Sequence, residues 1–120
     1  LDQENLEKMT KLMHSMGYIE RLPIQLQVLS DPMNVKKFLD EKGLTAYTFL
    51  SGARDRIDVD ILASKSLSFD QYDRQKVMVD IDNDIQVPVI SVQDLIALKH
   101  EANRAKDIDD IKMLLELKSL

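Results

Sequence analysis

A chain of 120 residues, 44% of them hydrophobic and 31% charged, is long enough for one domain with a real core and has a globular rather than a disordered composition. Its net charge of −5 at pH 7 argues against binding nucleic acid or an anionic membrane through long-range attraction. The absence of cysteine excludes disulfides, thiolate zinc sites and a cysteine nucleophile, and fits a reducing, cytoplasmic location. No apolar run is as long as a membrane span.

The first forty residues are predicted to form two helices with a strand between them. Apolar side chains recur at helical spacing over 2–16, and Gly17 then predicts the helix end. Residues 24–29 are β-rich and predict a strand. Asp31 followed by Pro32 is typical of a helix start. The helix that begins there is expected to turn three apolar side chains inward, namely Val35, Phe38 and Leu39.

A strand predicted over 56–62 carries two acidic side chains. Residue types alternate along it, with Ile57, Val59 and Ile61 on one face and Asp58, Asp60 and Leu62 on the other. Carboxylates that share a face repel each other unless a cation lies between them, and Mg²⁺ binds one or two carboxylates together with phosphate oxygens. The alternative is a solvent-facing strand with Arg54 and Arg56 nearby.

The remaining β-rich segments predict further strands. Residues 44–50 are apolar on both faces, and the segments 76–81 and 85–90 flank a turn and predict a hairpin. The order of elements mixes helices with strands. We therefore predict an α/β (α+β) fold, with a mixed β-sheet and flanking helices in one domain over 1–120.

Lys99 is the residue whose position is hardest to explain as part of a simple core. On a helix that starts near Ser91, it continues an apolar stripe. A lysine there either extends its ammonium to the edge of the core or points it into a cleft that holds an anion, where Arg104 would add a bidentate group. The alternative is that its ammonium pairs with Asp94 or Glu101.

Two acidic residues stand at the start of the last predicted helix. Asp107 and Asp110 are expected to cap this helix or to favour its partly positive N-terminus, and such a role is compatible with holding Lys99 or Arg104 in position. The same helix is expected to turn four apolar side chains inward, namely Ile108, Ile111, Leu114 and Leu115.

Three parts of the chain carry a family resemblance. They are 2–6 with 16–18, then 57–62, and finally a closing signature made of 87–91, 94–99, 104–107 and Asp110. In this order they resemble the small stand-alone nucleotidyltransferases of the DNA polymerase beta-like superfamily, which include toxin and resistance-associated members. The closing signature is the most specific part of the resemblance.

The resemblance implies that a nucleoside monophosphate is transferred from a nucleoside triphosphate to a hydroxyl acceptor. Two Mg²⁺ ions, held by three carboxylates, would align the attacking oxygen and stabilise the leaving pyrophosphate. By position, Asp60 matches the third of these catalytic metal ligands, and Asp58 stays an alternative. Lys99 matches a family lysine suited to the triphosphate, and Arg104 and Asp107 belong to the same signature.

One part of the family pattern is expected to lie before Leu1. The family begins with a glycine-containing turn and a pair of acidic residues, so we expect this chain to be N-terminally incomplete and inactive alone. The alternatives are a catalytically dead member that binds a nucleotide or a partner protein, and a plain interaction module. The acceptor stays open between a protein hydroxyl, a tRNA end and a small molecule, and a protein partner stays open between an antitoxin and a second copy of the chain.

Overall fold

The computed structural model describes residues 2–42, 46–63 and 68–120. These residues form five α-helices, one 3₁₀ helix and two small antiparallel sheets, which confirms the prediction of a mixed α and β chain. From the sequence we expected the strands to join one mixed sheet. They form instead one sheet of three strands and one of two. The chain divides into two compact units, Leu1–Leu67 and Ser68–Leu120, each with its own sheet.

The described residues of the first unit form three helical segments and the larger sheet. Its elements are α1 (Gln3–Ser15), β1 (Tyr18–Glu20), a 3₁₀ helix (Leu26–Ser30), α2 (Pro32–Lys42), β2 (Ala46–Ser51) and β3 (Val59–Leu62).

Local signals explain both helix starts in this unit and the end of the first helix. The Asp2 carboxylate accepts the Asn5 N–H at 3.0 Å and so caps α1, and Gly17 follows α1 with a φ of +84°, which glycine adopts without strain. The Asp31 carboxylate accepts the Met33 N–H at 2.9 Å, where Pro32 begins α2. The end of α1 and the start of α2 were predicted from these same residues, whereas the rest of α1 was predicted from the spacing of its apolar side chains.

The strand predicted over 24–29 is wrong. Leu26 and Leu29 are both fully buried, and they lie on the 3₁₀ helix Leu26–Ser30. Residues three apart share a side of a helix with three residues per turn, whereas on a strand they would point to opposite faces. Burying both leucines in the same core therefore requires the helical turn.

The three-stranded sheet has the order β1-β2-β3, and every pair is antiparallel. Tyr47 and Phe49 alternate along β2 toward the core, while Thr48 lies opposite Asp60 of β3. The strand β3 is shorter than the predicted 56–62. Ile57, expected on the same strand face as Val59 and Ile61, precedes the strand and is exposed. Among the residues that the structure describes, ten buried side chains form a core around this sheet: Leu6, Met13, Tyr18, Leu26, Leu29, Val35, Phe38, Tyr47, Phe49 and Ala63.

The second unit contains a hairpin and three helices. Its elements are α3 (Phe69–Gln75), β4 (Val77–Asp82), β5 (Ile85–Val89), α4 (Val92–Ala102) and α5 (Ala105–Lys118). The predicted hairpin is confirmed, and its turn residues Asn83 and Asp84 both have positive φ, as in the turns that fit the twist of paired strands. Among the residues that the structure describes, no helix combines the length and apolar character needed to cross a membrane.

The inward face predicted for the last helix is only partly correct. In α5, Ile111 is buried and Leu114 is half-buried, but about half of the surface of Ile108 and of Leu115 is exposed. The side of α5 that is buried instead carries a carboxylate, because Asp107 is fully buried beside α4.

Candidate functional site

The junction between α4 and α5 brings four charged side chains together. Ser91 caps α4, because its Oγ accepts the Asp94 N–H at 3.1 Å. Asn103 ends α4 in the left-handed conformation, with φ 48° and ψ 37°, and donates its N–H to the Lys99 carbonyl at 3.0 Å. Only Asn103 and Arg104 separate the two helices, so the last turn of α4 lies beside the first turns of α5.

Asp107 holds Arg104 through three hydrogen bonds. Its Oδ2 accepts the Arg104 backbone N–H at 3.0 Å and Nε at 2.7 Å, and its Oδ1 accepts Nη2 at 3.1 Å. The Asp107 side chain is 0% exposed, whereas that of Arg104 is 61% exposed. The sequence predicted Asp107 as the cap of the last helix, but Arg104 is the N-cap residue and Asp107 is the third residue of α5. The Asp107 carboxylate accepts the backbone N–H of Arg104, as the third residue of a capping box does.

These contacts keep both groups ionised. The hydrogen bonds from the Arg104 guanidinium lower the pKa of Asp107 from 3.8 to about 2, against the opposing effect of burial. The same carboxylate raises the pKa of Arg104 above its ordinary value. The pair is a bidentate, charge-assisted contact, which fixes the plane of the guanidinium as well as its position.

Lys99 lies between two carboxylates of α5. Its Nζ donates to Asp110 Oδ2 at 2.7 Å and lies 3.7 Å from Asp107 Oδ1, and its side chain is 22% exposed. The hydrogen bond to Asp110 is the main reason that the pKa of Lys99 is raised. The alternative pairing of Lys99 with Asp94 or Glu101 is wrong, because in the described part of the chain its ammonium pairs with Asp107 and Asp110. The Asp94 carboxylate instead accepts the Ser91 hydroxyl at 2.9 Å.

The arrangement can act in two ways. Two cations and two carboxylates balance each other, so the group ties α4 to α5. The two cations are also held side by side with part of each exposed, which is the arrangement that binds an anion such as phosphate through a guanidinium and an ammonium. The sequence placed Lys99, Arg104, Asp107 and Asp110 in one signature, and the structure brings all four into contact.

The acidic pair of the first unit is exposed and hydrogen-bonded. Asp60 Oδ1 accepts the Thr48 hydroxyl at 2.6 Å across the β2–β3 pair, and Asp58 Oδ1 accepts the Ser51 N–H at 2.8 Å. The sequence predicted that both carboxylates lie on one strand. This is wrong for Asp58, which precedes β3. Sequence analysis missed both hydrogen-bond partners, because strand register decides the pairing of Thr48 with Asp60 and the turn before β3 decides that of Ser51 with Asp58.

Arg56, expected beside the acidic pair, binds elsewhere. Its Nη1 donates to the Met16 carbonyl at 2.6 Å. Within residues 2–42, 46–63 and 68–120, no group of three or more histidine or acidic side chains is placed to hold a metal ion. Asp58 and Asp60 belong to the first unit and the Lys99 group to the second, so their joint action on one ligand stays a prediction.

In comparisons with known proteins, the chain matches no family model, no curated protein and no solved structure.

Proposed function

We propose that the chain is most of a nucleotidyltransferase-like domain whose full-length protein transfers a nucleoside monophosphate from a nucleoside triphosphate to a hydroxyl acceptor. The observation that carries the proposal is the pair of partly exposed cations, Lys99 and Arg104, held at the α4–α5 junction by the buried Asp107. In this proposal both cations bind the triphosphate, and Asp107 positions Arg104.

Preorganisation favours a binding role for this pair. A free arginine side chain loses much conformational freedom when it binds a ligand. The bidentate contact with Asp107 already restricts Arg104 in the free protein, so less conformational entropy is lost on binding. The guanidinium is nevertheless mostly exposed, so it can donate to a second anion.

The metal chemistry is assigned to the acidic pair. Asp60 would bind Mg²⁺, with Asp58 as the alternative, since carboxylate oxygens are preferred ligands of this ion. Two ions would need further carboxylates besides this pair. Mg²⁺ would supply charge neutralisation on the leaving pyrophosphate.

A second candidate is a catalytically dead member of the same fold that binds a nucleotide or a partner protein. The observation that favours it is the hairpin β4–β5, on which several large apolar side chains are exposed, among them Val77, Ile81 and Ile85. Exposed apolar side chains in a group are typical of interaction surfaces.

The first experiment is a thermal-shift measurement on the full-length protein with Mg²⁺ and ATP. We expect a rise in melting temperature, because a ligand at 100 times its Kd stabilises the folded state by about 2.7 kcal/mol. Lys99→Ala should abolish the rise. The matched control is Lys112→Ala on α5, since Lys112 is mostly exposed and 3.8 Å from the exposed Asp109. No rise with any nucleoside triphosphate would contradict a nucleotide-binding function.

The second experiment separates the enzyme from the catalytically dead alternative. Asp60→Asn in the full-length protein should remove transfer of the nucleoside monophosphate and leave the far-ultraviolet circular dichroism spectrum unchanged, because Asp60 is exposed. Asp109→Asn, a change of the same chemistry at an exposed position, should keep wild-type turnover. Wild-type turnover in Asp60→Asn would show that Asp60 is not the metal-binding carboxylate. No turnover in the wild-type protein would favour the catalytically dead member.

A further inference from the structure

The two carboxylates that contact Lys99 differ in how firmly each is held. Asp107 is 0% exposed and accepts three hydrogen bonds from Arg104. The Asp110 side chain is 43% exposed, and in the described part of the chain its side chain accepts a hydrogen bond only from Lys99. One of the partners of Lys99 is therefore fixed and the other is free to leave.

Separating Lys99 from Asp110 has a small energetic cost. An exposed carboxylate is hydrated as soon as its partner moves away, and ion pairs between partly exposed groups are weak. Removing the cations from Asp107 would leave a buried charge without a partner, which is strongly unfavourable. The ammonium can thus give up Asp110 while it stays near Asp107 Oδ1, now 3.7 Å away.

We propose that Asp110 is an exchangeable counter-ion, which occupies Lys99 in the free protein and is replaced by an oxygen of an oligophosphate when a ligand binds. Asp110 then acts on the ligand only through Lys99, because its carboxylate competes with the ligand for the ammonium. Its carboxylate sets a threshold for the ligand, because an anion must attract the ammonium more strongly than one carboxylate does. A triphosphate passes this threshold more readily than a ligand with a single negative charge. The identification of the ligand as a nucleotide rests on the proposed function, whereas the exchange itself does not.

The test is equilibrium binding of inorganic tripolyphosphate to the wild-type protein and to Asp110→Asn. We expect Asp110→Asn to bind about three- to five-fold more tightly, the factor that loss of one partly exposed ion pair implies. The gain should disappear in Lys99→Ala/Asp110→Asn, and Asp110→Glu should bind as the wild type does, because glutamate restores the counter-ion. Asp109→Asn, on the same helix, controls for the change in net charge.

Three results would overturn the exchange. Weaker binding by Asp110→Asn would mean that Asp110 is needed to hold Lys99 in place. Equal tightening by Asp109→Asn would reduce the effect to net charge, and a gain that persists without Lys99 would locate it elsewhere. Asp110→Ser is the second variant, should Asp110→Asn fold poorly.

Measuring Mg²⁺–ATP alongside tripolyphosphate separates this inference from the proposed function. If Asp110→Asn tightens tripolyphosphate through Lys99 but the wild type does not bind the nucleotide, the exchange stands and the nucleotidyltransferase proposal fails. If the wild type binds the nucleotide and Asp110→Asn gains nothing, the proposal stands and the exchange fails. If no variant binds either compound, both fail.

Discussion

Replacing Phe49 by alanine should destabilise the first unit more than any surface change in the chain. Phe49 is 0% exposed, lies on the central strand β2 and has its ring centroid 5.4 Å from that of Tyr47. Truncating a fully buried phenylalanine costs about 3–5 kcal/mol, since the transfer free energy of the ring is lost and a cavity is left. That is a large part of the total stability of about 5–15 kcal/mol that is usual for a protein domain.

Urea unfolding followed by circular dichroism measures this cost. With a slope of about 1.5 kcal/mol per molar urea, the midpoint should fall by about 2–3 M. The matched control is Phe69→Ala, which removes the same ring from a side chain that is 77% exposed. We expect the control to change the stability by less than about 0.5 kcal/mol. Equal shifts for the two variants would refute the placement of Phe49 in the core and the register that pairs it with Val59.

Two further predictions concern the second unit. Because the pKa of Asp107 is lowered to about 2 in the folded protein, its ionised form stabilises the fold above about pH 4, and this contribution is lost as the pH falls from about 4 toward 2. Urea titrations at several pH values give the free energies of unfolding of the wild type and of Asp107→Asn. The difference between the two should therefore be constant above pH 4 and shrink below it, and a difference that stays the same at every pH would disprove the ion pair. Ser91→Ala removes the cap of α4 and should lower the free energy of unfolding by about 1 kcal/mol in the same titration. Ser119→Ala, at an exposed position after α5, should change it by less than about 0.5 kcal/mol. Equal effects of the two variants would mean that Ser91 does not cap the helix.

The elements that sequence analysis found are those with local signals. Asp2, Ser91 and the Asp31-Pro32 pair mark helix starts through contacts within three residues, and Gly17 marks an end through its own backbone conformation. The hairpin was equally visible, because its two strands are joined by the turn that pairs them.

The errors arose where the outcome depends on contacts distant in sequence. The β-rich residues around Leu26 became a 3₁₀ helix, because both leucines had to reach one core. The larger sheet depends on pairs that lie far apart in the sequence, such as Thr48 with Asp60, and no local pattern specified that β1, β2 and β3 would become neighbours.

The sequence predicted which charged residues meet at the α4–α5 junction, but it did not predict which of them are buried. Spacing of three residues along a helix predicts that Asp107 and Asp110 share a face of α5, and Arg104 directly precedes that helix. It does not reveal that Asp107 would be fully buried while Asp110 stays partly exposed, since that difference depends on how closely α4 packs at each position.

This difference in burial also decides which substitution can test binding. Lys99→Ala leaves Asp107 with all three hydrogen bonds from Arg104, so the carboxylate keeps a charged partner and the junction should remain folded. Arg104→Ala would leave Asp107 with a backbone N–H and an ammonium 3.7 Å away, and a buried carboxylate held so weakly favours local unfolding. Loss of ligand binding in Arg104→Ala would therefore report on the junction as much as on the ligand. Loss in Lys99→Ala, with α4 and α5 still paired, identifies the ammonium as the group that binds.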